Sequence, residues 1–126
     1  MITGVGTDVV DIDRFRKLNQ RTEFLKQVFT PSEIQNATER PAQDTSLATL
    51  FAIKEALLKA LGCGLEKGSL WREIHITADW KPELSGPLSR LAQEQSIQTI
   101  HVAHSHSEKN AVAFVILETT NQQEIL

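Results

Sequence analysis

Residues Ser46 to Gly64 constrain this chain more than any other stretch. Leu47, Leu50, Phe51, Leu57, Leu58 and Leu61 recur at steps of three and four, the apolar stripe of an amphipathic helix. Ala and Leu dominate its interior, which holds no Gly or Pro. Asp44, Thr45 and Ser46 offer N-cap oxygens ahead of it, and Gly62 and Gly64 end it. Two features do not suit a plain core helix. Lys54 lies on the apolar stripe, where a charge is costly unless a partner or ligand neutralises it. Glu55 and Lys59 stand four residues apart, within reach of each other. Either these are an exposed ion pair and a lysine snorkelling along its own stem, or one carboxylate and two ammonium groups crowd the edge of a buried face. The second arrangement suits a metal ion and phosphates. The helix alone does not choose.

At 126 residues the chain has room for one core without staples and reads as a single domain, 1–126. A net charge of −3 argues against a general nucleic-acid binder, so electrostatic recognition must come from a local patch. The one cysteine, Cys63, excludes an intramolecular disulfide and suits a reducing compartment. Between two glycines it reads as a small turn-packing residue. No apolar run is long enough for a membrane span, and the first residues lack a signal-peptide pattern, so a cytoplasmic protein is expected.

Ahead of the helix, Met1 to Ile12 mixes β-branched residues with Gly4 and Gly6, a strand with a bulge or close backbone approach. Asp8 is embedded in it, either facing water at a strand edge or neutralised by a partner or cation. Asp11 or Asp13 caps a helix over Arg14 to Val28, with Phe15, Leu18, Leu25 and Val28 inward. That segment holds five basic side chains against one acidic, and Arg14, Lys17 and Arg21 share a face. The strip is either solvated surface or a docking site for an acidic protein. Thr30-Pro-Ser-Glu33 is a capping box with Pro at the first helical position, opening a short helix to about Ala37.

Beyond Gly64, Trp71 to Thr77 alternates as a half-buried strand, with a short second strand from Trp80 to Ser85. Pro87 opens a helix to about Gln95. Thr99–Ala103 and Ala111–Glu118 are two further strands, the second apolar enough to be buried on both faces. His75 and His101 fall at strand positions as exposed or hydrogen-bonded residues. His104-Ser-His-Ser-Glu-Lys-Asn110 between the last strands reads as a solvated turn or as a cluster of phosphate donors. As a zinc site the histidine pair, without cysteine partners, is a weak signal.

Four segments together resemble the small bacterial-type 4′-phosphopantetheinyl transferases, the holo-acyl-carrier-protein synthase family. They are Gly4-Val-Gly-Thr-Asp8 with Asp11-Ile-Asp-Arg14, Phe29-Thr-Pro-Ser-Glu33, Phe51-Ala-Ile-Lys-Glu-Ala-Leu-Leu-Lys-Ala-Leu-Gly-Cys-Gly64, and His101-Val-Ala-His-Ser-His-Ser107 with Ala111-Val-Ala-Phe-Val115. Their order and spacing agree over residues 2 to 118. The resemblance implies an α+β fold, a small antiparallel sheet packed against one long central helix plus shorter helices, assembled as a homotrimer with sites between subunits.

It also implies a Mg²⁺-dependent enzyme that moves the phosphopantetheine arm of coenzyme A onto a serine of an acidic apo acyl carrier protein, with no nucleic-acid or membrane partner. By the same resemblance Asp8 and Glu55 hold the metal and Lys59 sits on the pyrophosphate, with Lys59 or a water as the base. Lys54 adds positive charge at the coenzyme or forms an ion pair, Ser105, His106 and Ser107 meet the coenzyme, Gly62 and Gly64 admit its nucleotide, and Arg14, Lys17 and Arg21 dock the carrier. The chain departs from the family where Thr49-Leu50 replaces Gly-Arg, removing an expected phosphate-gripping arginine, and at His104 and Cys63. Altered selectivity is the expected consequence. The competing readings are a non-catalytic relative that binds coenzyme A or a carrier protein without turnover, and a small structural domain whose charged residues are only surface pairs.

Overall fold

A computed structural model describes residues 1–20, 22–63 and 70–120. The elements are β1 (Ile2–Asp11), α1 (Ile12–Asn19), α2 (Thr22–Val28), α3 (Pro31–Thr38), α4 (Gln43–Ala60), β2 (Ile74–Ile76), β3 (Pro82–Leu84), α5 (Gly86–Glu94), β4 (Ile97–His106) and β5 (Asn110–Thr119). One antiparallel sheet has the order β1-β5-β4, and β2 and β3 form a separate hairpin. The α+β class, with a long helix on a small antiparallel sheet, is the one the family resemblance implies.

α4 lies across one face of the three-stranded sheet. Leu47, Leu50, Ile53, Leu57 and Leu58 are buried there with Val10 of β1 and Ala111, Ala113, Val115 and Leu117 of β5. The approach is closest at β1. A Cβ on Gly6 would overlap the Ala56 carbonyl oxygen, and one on Gly4 would overlap that of Ala60. These two glycines therefore let the strand lie directly on the helix backbone. The helix ends in a Schellman motif: the Cys63 N–H bonds the Leu58 carbonyl, the Gly62 N–H bonds that of Lys59, and Gly62 takes φ +84°.

Several boundaries differ from those expected. α4 begins three residues early, at Gln43, without a side-chain cap; Asp44 instead takes Arg16 Nε at 2.9 Å. The single helix expected over Arg14–Val28 is two. Phe15 and Phe24 are nine residues apart, half a turn out of phase on one helix at 3.6 residues per turn. The break lets both pack on Phe51, at 5.7 Å each, and on each other at 5.9 Å. Asp11 is the cap, accepting from the Arg14 N–H. Thr30 and Glu33 form both bonds of the expected capping box.

Trp71 is not in a strand but in a 3₁₀ turn over 70–73, and β2 starts at Ile74. β4 runs through His106, so His104 and Ser105 are strand residues and the turn is confined to 107–109. β5 is buried on one face only; Val112 and Phe114 on the other are exposed, as are Val5 and Val9 of β1 beside them.

Candidate active site

The Gly6 contact sets the site. Asp8 follows Gly6 by two residues and so projects from the same face of β1, toward the turn of α4 that carries Glu55 and Lys59. Lys59 Nζ donates to Asp8 Oδ1 at 2.9 Å and to the Thr7 carbonyl at 3.0 Å. Glu55, only 8% exposed, lines a cavity of about 260 Å³ with Asp8, Lys59, Arg14, Phe15 and Phe51. Burial raises the Glu55 carboxyl above its ordinary range, and the charge of Asp8 raises it further; Lys59 and the Trp71 indole pull it back. Two carboxylates and one ammonium group, from segments 47 residues apart, thus meet in one half-buried pocket.

Lys54 is elsewhere. It is fully buried, and its ammonium donates to Glu33 Oε1 at 2.7 Å, the Val28 carbonyl at 2.6 Å and the Trp71 carbonyl at 3.1 Å. All three protons are taken inside the fold, so the expectation that Lys54 meets the coenzyme gives way to an internal ion pair. Glu33, also fully buried, accepts in addition from the N–H groups of Thr30 and Ile76. The sequence signalled that Lys54 needs an acid, since a lysine on an apolar stripe requires one, but did not single out Glu33.

The chain does not by itself bring His106 to Asp8. His106 pairs with Ala111, while Asp8 lies across Ala113 from His104, so β5 separates the two strands by about 10 Å. Ser105 pairs with Val112 and points to the exposed sheet face, opposite Asp8. Ser107 belongs to the turn, its hydroxyl accepting from the Lys109 and Asn110 N–H groups. Arg14 lines the Asp8 pocket and Lys17 is exposed on α1; Arg21 and Gly64 lie outside the described residues. Gly62 is exposed at the end of α4.

Leu50 is 1% exposed and packed in the core. An arginine substituted there would have to bury its guanidinium, so in this chain position 50 is core and not part of the Asp8 pocket. One cluster was not anticipated from the sequence: the Arg40 guanidinium sits 4.0 Å over the Trp80 ring, and His104 packs on the same indole at 4.4 Å. Among the described residues no group of three His, Cys, Asp or Glu side chains gathers as a metal cage. No helix among them is long and apolar enough to cross a membrane.

The profile of the 4′-phosphopantetheinyl transferase superfamily matches residues 4–116. A holo-[acyl-carrier-protein] synthase of Geotalea daltonii is 40% identical over 124 residues, covering 94% of this chain and 99% of that one. Its counterpart in Clostridium novyi is 40% identical over 126 residues, covering 96% and 91%. The crystal structure of the Neisseria meningitidis synthase superposes with a TM-score of 0.80 at 36% identity, over 94% of this chain and all of the other. The Bacillus anthracis synthase, solved in complex with CoA (3′,5′-ADP), superposes with a TM-score of 0.73 at 29% identity, over 95% and 99%. With its profile matched from the first strand to the last and its fold shared with these enzymes, the chain belongs to the 4′-phosphopantetheinyl transferase superfamily.

Proposed function

We infer that this chain is a holo-acyl-carrier-protein synthase. It transfers the 4′-phosphopantetheine group of coenzyme A to a serine of an apo acyl carrier protein and releases adenosine 3′,5′-bisphosphate. The observation that carries the reading is the convergence of Asp8, Glu55 and Lys59 in one pocket, within a chain about 40% identical to named synthases. Asp8 and Glu55 fit Mg²⁺: they are hard oxygen donors that line one half-buried pocket. When bound, the ion neutralises charge on the pyrophosphate oxygens.

The remaining work falls to the chain. The serine oxygen attacks the phosphorus nearer the pantetheine, and the bond to the adenylate phosphate breaks. Lys59 adds a positive charge beside that bridge. With its protons directed at Thr7 and Asp8, it is better suited to fixed charge than to proton acceptance, which leaves a water to take the serine proton. Catalysis is then mainly positioning and electrostatics. Arg14, at the pocket mouth, and Lys17 provide the basic edge to which an acidic carrier protein docks. On this reading the setting is fatty-acid synthesis and the compartment the cytoplasm.

We further propose that the active unit is a homotrimer. Val5, Val9, Val112 and Phe114 form an exposed apolar patch on the sheet, 37–65% accessible, which suits a subunit contact. Such a contact would supply His106, Ser105 and Ser107 of one subunit to the Asp8 pocket of another.

The deciding experiment is intact-mass spectrometry of an apo carrier protein incubated with this protein, coenzyme A and Mg²⁺, with and without chelator. The expected result is a gain of one phosphopantetheine arm that chelator abolishes. No mass change across several carrier proteins would overturn the assignment in favour of a binding-only relative.

A further inference from the structure

Trp71 is fixed on two sides beside the Asp8 pocket. Its ring packs on Phe51 at 5.7 Å and on Phe24 at 6.4 Å, and its carbonyl oxygen accepts from Lys54 Nζ. Phe51 precedes Glu55 by one helical turn, so an indole packed on Phe51 lies alongside the Glu55 side chain. The Trp71 Nε1–H is buried and makes no hydrogen bond of full geometry to any described residue. Such a donor is expensive to leave unpaired and in a native site needs an explanation. The Glu55 carboxylate, itself nearly buried, stands within reach of it. Ring packing alone would be met as well by phenylalanine; the N–H is what needs a use.

We propose that Trp71 is a positioning residue: its indole N–H donates to the Glu55 carboxylate and holds it turned toward Asp8 to receive a divalent cation. The proposal rests on the reading of Asp8 and Glu55 as the Mg²⁺ pair. Carboxylates that ligate metals are themselves commonly held by hydrogen bonds, and the partners tune affinity. Trp80, the only other tryptophan, packs on His104 and Arg40, which makes it an internal control.

With two tryptophans, a ¹⁵N-labelled sample gives two indole N–H signals, assigned by Trp71→Phe. On titration with Mg²⁺ alone, the Trp71 signal should move downfield and the Trp80 signal stay; Glu55→Gln should abolish the movement. Trp71→Phe keeps a packing ring and removes the donor. Its Kd for Mn²⁺, read by paramagnetic resonance of free Mn²⁺, should rise about 10- to 100-fold, the usual effect of an outer hydrogen-bond partner. Its KM for coenzyme A at saturating Mg²⁺ should hold. A Trp71 signal that stays fixed while Mg²⁺ saturates the protein overturns the proposal, and this test uses the unmodified chain even if Trp71→Phe folds poorly. So does a folded Trp71→Phe that binds Mn²⁺ as tightly as the parent. If Glu55→Gln binds Mn²⁺ like the parent, the metal pair itself is wrong and the proposal falls with it.

Discussion

Replacing Lys54 with methionine tests the internal ion pair most directly. Methionine matches the stem of lysine, so little packing is lost. What disappears is the ammonium that serves Glu33 at 2.7 Å and the Val28 and Trp71 carbonyls. Glu33 keeps the Thr30 and Ile76 N–H groups but becomes a buried carboxylate without a counter-charge. Breaking a buried pair from one side costs about 3–5 kcal/mol, against a total of about 5–15 kcal/mol for a domain. An unfolding entropy of about 2.1 cal/mol/K per residue gives about 0.26 kcal/mol/K for a chain of this length, so Tm should fall by roughly 11–19 °C. Calorimetry and urea titration measure this. Glu33→Gln with Lys54→Met removes both charges and should recover a large share, giving a coupling above about 1 kcal/mol in a double-mutant cycle. A loss below about 1 kcal/mol for Lys54→Met, or additive single effects, would refute the reasoning. A stable Lys54→Met protein with a raised KM for coenzyme A would return Lys54 to the substrate site.

Three further perturbations have defined outcomes. Glu55→Gln should reduce Mg²⁺-dependent transfer by more than about 100-fold, beyond the effect of outer-shell partners. It should also raise Tm of the metal-free protein at neutral pH, since burial and Asp8 both disfavour the charge it removes. Gly6→Ala should lose about 1–3 kcal/mol or more by urea denaturation, because the new methyl meets the Ala56 carbonyl of a helix that has no room to retreat. His104 should titrate below its ordinary 6.5, owing first to partial burial and then to Arg40 and His106. The unfolded chain therefore takes the proton first, and stability should fall as pH drops below 6.5 toward the folded midpoint. NMR of the ring protons locates that midpoint, and His104→Gln should flatten the slope.

What was legible in the sequence was what local chemistry decides. The capping box at Thr30 and Glu33, the Gly62 stop and the stripe of α4 each rest on a few adjacent residues. The break between α1 and α2 was not legible, because no glycine or proline marks it among residues 19 to 22; it answers the need of Phe15 and Phe24 to reach the same ring. β4 read as ending at Ala103 because its outer half alternates His and Ser, and exposed strand edges carry no apolar signal. β5 read as buried on both faces because Val112 and Phe114 are apolar, although both are exposed in the isolated chain. Pairing across the sequence was the largest gap: nothing local links Lys54 to Glu33, 21 residues away.

That pairing bears on catalysis through geometry. Lys54 and Glu55 are consecutive on α4, about 100° apart around the axis. The first is drawn into the interior by Glu33, and the second is thereby presented to the Asp8 pocket. On the side that faces β1, the Ala56 carbonyl rests against Gly6. Slipping the helix by one residue would put a carboxylate against Glu33 and set alanine where Glu55 stands. Neither the buried pair nor the glycine contact touches the chemistry, yet together they fix the rotation that makes Glu55, rather than a neighbour, the second acid of the site. A buried ion pair is weak evidence for stability, and fixing register is its best-attested use. Here the register it fixes is that of the helix carrying Glu55 and Lys59.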